Sequence, residues 1–166
     1  MGTPDANAAN AGGGMRRPGI PPPVLGLLTG LAMWGVARWG LASLSFTMPL
    51  QKSVALVLIV AGLTLDGLAL VGFFRARTAI TPLQPEKAST LVQGGLYRFT
   101  RNPMYLGLLV VLSGWALWLG NPVNLLGLVL FVVLINRWQI APEEQALRHK
   151  FGADYDAYCE RVRRWL

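Results

Sequence analysis

Two short segments of an otherwise apolar sequence contain residues that could form a binding or catalytic site. The first lies in residues 94–107 and contains Gly94, Gly95, Arg98, Arg101, Asn102, Pro103, Tyr105 and Gly107. Paired glycines allow close backbone approach, and a proline that starts a helix leaves amide donors directed outward. Arg101 and Asn102 could then reach a carboxylate or a nucleobase. An interfacial anchor explains the same stretch, because arginine snorkels and tyrosine favours the aromatic belt.

The second group is the acidic pair Glu143 and Glu144, which directly follows Pro142 among basic residues. Acids at the start of a helix complement its dipole, a contribution below about 1 kcal/mol. One of the two could instead bind a cationic group or accept hydrogen bonds from a ribose diol. The residues alone leave both interpretations open.

A third pattern, Phe151-Gly152-x-x-Tyr155-x-x-Tyr158, is typical of a packing stripe with a helix break. The remaining unusual residue is Asp66, which lies within an apolar segment. An ionised carboxylate there costs several kcal/mol unless it is paired, and Arg38 is a possible partner. The sequence does not separate a structural role of Asp66 from a gating role.

Several kinds of site are excluded. His149 is the only histidine and Cys159 the only cysteine, so a multidentate Cys/His metal site cannot form and no metal is predicted. The sequence contains no Gly-x-Ser-x-Gly elbow, no His-Glu-x-x-His motif and no phosphate-binding P-loop.

The composition indicates what surrounds these residues. The chain has 166 residues, of which 53% are hydrophobic and 14% charged, against about 25% charged in ordinary soluble domains. Its 15 Lys and Arg against 8 Asp and Glu give a net charge of +7. A nucleic-acid binder would explain the charge but not the hydropathy, so no nucleic-acid partner is predicted. High apolar content and a single cysteine exclude a disordered chain and a disulfide scaffold. A small integral membrane protein remains.

The pattern along the chain predicts an all-α bundle of about four transmembrane helices. Residues 1–20 are expected to be a disordered tail, and 21–166 a single membrane domain. Because Arg16 and Arg17 precede the first apolar run without a clear cleavage site, a retained signal anchor is favoured over a cleaved signal peptide. The predicted spans are 22–46, 54–74, 104–119 and 123–140. The last two form a short hairpin around Gly120-Asn121-Pro122.

The distribution of charge orients this bundle. Thirteen of the 15 basic residues lie in the N-terminal tail, in 75–101 or from Arg137 onward. The positive-inside rule then places both termini in the cytoplasm, in contact with membrane lipids. Gly26 and Gly30 offer a close-packing surface on the first span.

After Pro142 an apolar stripe recurs every three or four residues, formed by Leu147, Phe151, Tyr155, Tyr158, Val162 and Trp165. Gly152 and Asp154 predict a helix end and a fresh N-cap, hence two short amphipathic helices. The basic residues beside the stripe are expected to face lipid headgroups. Packing of the stripe on the chain's own bundle is equally compatible.

The ordered set of motifs resembles one family. Gly-x-Tyr-Arg-x-x-Arg-Asn-Pro-x-Tyr-x-Gly, an apolar hairpin, Glu-Glu and Phe-Gly-x-x-Tyr-x-x-Tyr follow one another over about residues 90–165. This order is similar to that of the isoprenylcysteine carboxyl methyltransferases and the related membrane phospholipid N-methyltransferases. The first two spans resemble the family only in being hydrophobic. Asn102 departs from the histidine of the eukaryotic carboxyl methyltransferases, and asparagine cannot titrate near neutral pH.

The resemblance implies a cytoplasm-facing pocket for S-adenosylmethionine. Carried over by position, one wall would be formed by Asn102, Pro103, Tyr105 and Gly107 beside Arg101. Glu143 and Glu144 would form the other wall and hold the ribose or the ammonium of the methionine moiety. Arg101 and Arg98 are the candidate catalytic residues, because a carboxylate or thiolate acceptor needs a cation to position it.

The predicted function is therefore methyl transfer from S-adenosylmethionine to a lipophilic acceptor at the membrane surface, either isoprenylcysteine-carboxylate-like or a small lipophilic molecule. Phospholipid amine methylation is the alternative within the enzyme class. A non-catalytic membrane scaffold is the alternative from another class. In that case the Gly26/Gly30 face and Asp66 with Arg38 would mark the partner surface.

Overall fold

A computed structural model describes residues 20–40, 42–75 and 90–166. All regular elements of this part of the chain are helical, which confirms the predicted all-α class. The α-helices are α1 Pro22–Gly35, α2 Gln51–Arg75, α3 Pro103–Leu119, α4 Asn124–Ile135, α5 Ala141–Phe151 and α6 Ala153–Arg161. The tail predicted for 1–20 lies outside the described residues except for Ile20.

Two of the described helices are long and apolar enough to cross a membrane, namely Gln51–Gly72 with 22 residues and Asn124–Phe151 with 28. The other two predicted spans correspond to α1 with 14 residues and α3 with 17. A span of the hydrocarbon core needs about 20 residues, so these helices are short for one. A π-helical turn at Val36–Gly40 extends α1.

The helix that begins at Asn124 does not stop before Pro142, where the sequence pattern changes. A π-helical turn at Asn136–Ile140 joins α4 directly to α5, so that Asn124–Phe151 is continuous. Proline lacks an amide donor and clashes with the carbonyl four residues earlier, and a π turn accommodates both. Glu143 and Glu144 consequently do not lie at a free helix start. Gly152, with φ of 51°, then separates α5 from α6 as predicted, but no side chain caps α6, so the Asp154 N-cap prediction is wrong.

The tightest helix contact joins α2 to α3 through glycines. A Cβ placed on Gly62 would lie 2.6 Å from the Gly107 carbonyl oxygen, and one on Gly114 would lie 2.7 Å from the Ala55 carbonyl oxygen. Small residues allow this approach of two backbones, as in many membrane helix pairs. The sequence pattern had pointed to Gly26 and Gly30 instead.

Gly62→Ala is therefore expected to destabilise the protein by about 1–3 kcal/mol, because backbone rather than a flexible side chain must move. Gly67→Ala is the matched control on the same helix, since a Cβ added there would have nothing within 4 Å. Unfolding of both variants in detergent, followed by circular dichroism, measures the difference. Equal stability of the two variants would contradict the close contact.

Gly26 and Gly30 face the interior of the bundle. A Cβ on Gly26 would lie 3.5 Å from Leu108, and one on Gly30 would lie 3.7 Å from both Leu112 and Trp115. The Trp115 indole also donates to the Gly30 carbonyl at 3.0 Å. This face of α1 packs against α3. It is therefore not an exposed surface for a partner, which the scaffold alternative requires.

The apolar core lies between α1, α3 and α4. It contains Leu25, Met33, Tyr105, Leu112, Ala116, Phe131, Ile135 and Ile140. At one end of this core Gly120 ends α3 with φ of 60°, and its carbonyl accepts the Phe46 amide at 2.7 Å. The predicted turn signal at Gly120 is thus found where α3 ends. The other end of the core, where α3 begins, carries the polar residues described next.

Candidate active site

The last residues of the chain, 162–166, lie across the start of α3 and are called here the C-terminal strap. α6 ends at Arg161, and Val162 is extended, with φ of −125° and ψ of 128°. The Arg101 amide donates to the Arg163 carbonyl at 3.0 Å. The Arg164 carbonyl accepts from Asn102 Nδ2 at 3.0 Å and from Thr100 Oγ1 at 3.2 Å. Main-chain and side-chain hydrogen bonds therefore hold the strap on residues 100–102.

Glu144 joins the strap to α3 through a two-arginine cluster. Its Oε1 accepts from Arg101 at 3.0 Å and from Arg164 Nε at 3.0 Å, and its Oε2 accepts from a second Arg164 nitrogen. The side chains of Arg101 and Glu144 are only 13% and 12% exposed. The hydrogen bond to Glu144 raises the pKa of Arg164. Because Arg101 and Glu144 are so little exposed, removing either one leaves the charge of the other in a poorly hydrated environment.

Glu143 uses its carboxylate differently. Tyr105 donates its hydroxyl to Glu143 Oε1 at 2.6 Å, and Gln139 Nε2 donates to the same oxygen at 3.2 Å. Gln139 lies four residues before Glu143 on the continuous helix, so the π turn before Pro142 leaves both on one face. Glu143 Oε2 accepts no hydrogen bond from the described residues and remains an available acceptor.

Two tyrosines close another side of the site. Tyr158 on α6 donates its hydroxyl to the Tyr97 carbonyl at 2.7 Å. Burial raises the pKa values of Tyr97 and Tyr158 above the ordinary range for a phenol. The Tyr97 ring also lies beside Gly72 of α2, where a Cβ added to the glycine would be 3.6 Å from it.

The amphipathic stripe packs on the protein itself. Tyr155, Tyr158 and Val162 form a buried cluster with Leu91, Leu147, Phe151 and Cys159. Trp165 packs on the main core instead, and its indole donates to Asn136 Oδ1 at 3.2 Å. The sequence left two alternatives open for this stripe, a position at the membrane surface and packing on the chain's own bundle. In the structure the stripe packs on the bundle. Arg164, expected to face headgroups, turns inward to Glu144.

One donor at the site lacks a partner. Arg101 Nε is buried without a hydrogen bond in the described part of the chain, although the same guanidinium binds Glu144 and the Cys159 carbonyl. Buried donors are nearly always satisfied, so an unpaired one calls for an explanation. Together with Glu143 Oε2, it gives the site one donor on a guanidinium and one acceptor on a carboxyl group that no described residue occupies.

The structure brings most of the predicted site residues together but not all. Arg101, Asn102, Tyr105, Glu143 and Glu144 are linked through the contacts above, and Pro103 is buried at the start of α3. Arg98 is exposed at the end of a 3₁₀ turn. Gly107 lies against α2, where a Cβ would overlap the Asp66 carboxylate and Gly62. Within the described residues, no atom lies within 4 Å of a Cβ added to Gly94 or Gly95.

The sequence did not predict the hydrogen bonds at the site that four residues make: Thr100, Gln139, Arg164 and Trp165. Gln139 had a readable signal, since it stands four residues before Glu143 on an apolar helix. For Arg164 the sequence gave only a general signal, because two adjacent acids are expected to have cations near them. Thr100 and Trp165 depend on the course of the strap, for which the sequence carries no local signal.

Asp66 does not pair with Arg38. Positions along α3 give the separation. Gly30 of α1 lies beside Leu112 of α3, and Arg38 is eight residues beyond Gly30. Asp66 of α2 lies beside Gly107, which is five residues before Leu112. At 1.5 Å per residue the two side chains are separated by about 20 Å along the bundle. Asp66 Oδ1 is buried without a hydrogen bond within the described residues. No group of three or more potential metal ligands occurs in that same part of the chain.

Comparison with known proteins identifies the class to which this arrangement belongs. The family model for phospholipid methyltransferases matches residues 50–154. A probable protein-S-isoprenylcysteine O-methyltransferase of Oryza sativa subsp. indica is 31% identical over 109 residues, covering 66% of this chain and 57% of the rice protein. The protein-S-isoprenylcysteine O-methyltransferase of Schizosaccharomyces pombe is 30% identical over 121 residues, covering 72% of this chain and 50% of its own length.

The chain therefore belongs to the phospholipid methyltransferase family, a family of membrane methyltransferases that are isoprenylcysteine-type or phospholipid-type. An uncharacterized protein of Haemophilus influenzae is 52% identical over 63 residues, which is its whole length and 38% of this chain. The matched segment spans about half the length of the relatives that have functional names. No solved structure matches the chain significantly.

Proposed function

We propose that this protein transfers a methyl group from S-adenosylmethionine to a lipophilic acceptor at the membrane surface. The observation that carries the proposal is that two groups near the start of α3 have no hydrogen-bond partner among the described residues: an acceptor, Glu143 Oε2, and a buried donor, Arg101 Nε. The methionine moiety of S-adenosylmethionine has a cationic ammonium and an anionic carboxylate, and the ribose offers a diol. The charges and hydrogen-bonding groups of the site fit that set.

Glu143 would hold the ammonium or the ribose diol, and Arg101 would hold the carboxylate. Tyr105 and Gln139 fix the Glu143 carboxylate through its other oxygen. Both oxygens of Glu144 are taken by Arg101 and Arg164, so we assign Glu144 to the cofactor wall mainly as the residue that positions Arg101. Asn102 and Pro103 complete this wall, because Asn102 holds the strap and Pro103 begins α3. Gly107 supports it by allowing α2 to approach α3.

When bound, S-adenosylmethionine supplies an activated methyl group on a sulfonium, which needs little covalent assistance. The residues of the chain then have to align donor and acceptor and exclude water. The strap and the Tyr97–Tyr158 contact cover the start of α3 and serve the exclusion of water. Arg98, exposed at the end of the 3₁₀ turn Gly95–Arg98, and Arg101 are the candidate groups for positioning an acidic acceptor.

The acceptor is either isoprenylcysteine-carboxylate-like, as the names of the plant and yeast relatives suggest, or a phospholipid amine, as the name of the family suggests. The amine is the second candidate because Asp66, an acid, lies one helical turn from the start of α3.

The proposal extends to the membrane topology. It includes four membrane crossings with 104–119 and 123–140 as a hairpin, residues 21–166 as one domain, and both termini and the site on the cytoplasmic side. The charge distribution supports that orientation.

Calorimetric titration of the full chain in detergent with S-adenosylmethionine tests the proposal. Binding by the wild type is expected, and Glu143→Ala is expected to weaken it by about tenfold or more, because a charge-assisted contact is removed. Glu160→Ala is the matched control, since Glu160 is an exposed acid on α6. No binding by the wild type, or equal binding by Glu143→Ala and the control, would reject this site.

A further inference from the structure

We infer that the hydrogen bond between Trp165 of the C-terminal strap and Asn136 positions the carboxyl group of Glu143 at the cofactor site. It does so by fixing the π-helical turn Asn136–Ile140, which precedes Glu143 on the same helix. This role rests on the proposed function, in which Glu143 holds part of S-adenosylmethionine. Asn136 and Trp165 are then positioning residues, because each acts through the turn and not on the cofactor itself.

The bonding of the π turn sets the direction of the helix that follows it. The Ala141 amide donates to the Asn136 carbonyl, five residues earlier, whereas an α-helix joins groups four residues apart. One extra residue is thereby taken up within a single turn. If the turn changed to α-helical bonding, the helix after it would rotate by about 100° relative to α4, the angle of one residue at 3.6 residues per turn. The turn therefore decides which neighbour Glu143 faces.

The strap holds this turn at its first residue. Trp165 donates its indole N–H to Asn136 Oδ1 at 3.2 Å, while the Asn136 carbonyl accepts the π hydrogen bond. Trp165 also packs on the apolar core. Two members of that core, Ile135 just before the turn and Ile140 at its end, are fully buried. The turn is therefore fixed at its start by hydrogen bonds and at its end by burial.

Beyond the start of the turn, two hydrogen bonds align the Glu143 carboxyl group. Gln139 lies inside the turn, is 2% exposed and donates to Glu143 Oε1 at 3.2 Å. Tyr105 of α3 donates its hydroxyl to the same oxygen at 2.6 Å. A rotation of about 100° after the turn would carry Glu143 away from both donors, because hydrogen bonds require short distances and near-linear angles. The alignment of the carboxyl group thus depends on the bonding of the turn.

The strap serves the two glutamates of the site through separate contacts. Arg164 binds Glu144, which positions Arg101. One residue further on, Trp165 fixes the turn that directs Glu143. Loss of the bond between Trp165 and Asn136 removes none of the Glu144 contacts, so the two effects can be measured separately.

Calorimetric titration of the full chain in detergent with S-adenosylmethionine tests this role. Trp165→Phe keeps an aromatic ring for the core and removes the indole donor, and Asn136→Leu removes the acceptor at similar size. Each is expected to raise the Kd about tenfold, the effect of one hydrogen bond, and the double variant should raise it no further. Trp138→Phe is the matched control with an unchanged Kd, because Trp138 lies in the same turn and is 50% exposed.

A second background separates positioning from a general effect on the fold. In a Glu143→Ala chain, Trp165→Phe is expected to leave the Kd unchanged, since the group that Trp165 positions is gone. A residue needed only for folding would weaken binding equally in both backgrounds. If Trp165→Phe does not fold, as judged by circular dichroism, Asn136→Leu is measured in its place in both backgrounds.

Two results overturn the inference and leave the proposed function intact. One is an unchanged Kd for Asn136→Leu and Trp165→Phe in the wild-type background, and the other is equal weakening in both backgrounds. Failure of the wild type to bind S-adenosylmethionine, or equal binding by wild type and Glu143→Ala, overturns the proposed function itself.

Discussion

Removal of residues 162–166 is expected to abolish binding of S-adenosylmethionine and to lower the free energy of unfolding by about 3–5 kcal/mol. The strap accepts three hydrogen bonds from residues 100–102 and donates two from Arg164 to Glu144, each worth about 1 kcal/mol or somewhat more. It also buries Val162 and supplies Trp165 to the core. Without it, Asn102 Nδ2 and the Arg101 amide lose their partners.

The matched control for this truncation is the removal of Leu166 alone, a side chain that is 72% exposed. Thermal unfolding in detergent and calorimetric titration with the cofactor measure both effects. If the shortened chain unfolds at the temperature of the control and still binds S-adenosylmethionine, the strap does not cover the site.

Glu144→Ala is expected to destabilise the protein by about 3–5 kcal/mol, the second large effect. The substitution leaves Arg101 largely buried with only the Cys159 carbonyl as a partner, and uncompensated charges in such places are costly. Because Arg101 then loses its fixed position, S-adenosylmethionine should also bind more weakly. Denaturant unfolding in detergent, with circular dichroism as the signal, gives the free energy.

Two further variants show whether burial causes this effect. Arg164→Ala should cost less than Glu144→Ala, because the Arg164 side chain is 39% exposed and Glu144 keeps Arg101. Arg148→Ala breaks an ion pair with Asp156 in which both side chains are more than half exposed, and it should cause no measurable change. A Glu144→Ala protein as stable as Arg148→Ala would show that the cluster contributes nothing. A double-mutant cycle of Arg101 and Glu144 isolates their coupling.

The helical class and the membrane character were accessible from the sequence, because both depend on local composition. Runs of about 20 apolar residues with few charges suffice to predict helices such as Gln51–Gly72. Break signals were equally local, and Gly120 and Gly152 end helices because each adopts a positive φ that glycine tolerates best. The continuity of the helix across Pro142 could not be predicted, since a π turn depends on the packing of the whole helix.

The site residues were also predictable only in part from the sequence. Side-chain type and motif order pointed to Arg101 and to the pair Glu143 and Glu144, and the order of the motifs as a whole pointed to the correct family. The sequence could not tell the two glutamates apart, because they are adjacent and chemically alike. Their difference arises from partners distant in the chain, with Arg101 43 residues before Glu144 and Arg164 20 residues after it.

By itself, then, the sequence determined an apolar helical chain, the order of its family motifs and the residue types available for binding a charged cofactor. Only the tertiary structure decided that Glu144 is bound by two arginines. It also decided that, within the residues the structure describes, Glu143 keeps one oxygen without a partner and Asp66 lies opposite Gly107 without a cation. The physical reason is that hydrogen bonds and ion pairs are fixed by distances of about 3 Å. Such distances between remote residues are set by helix packing and by the course of the strap, not by local sequence.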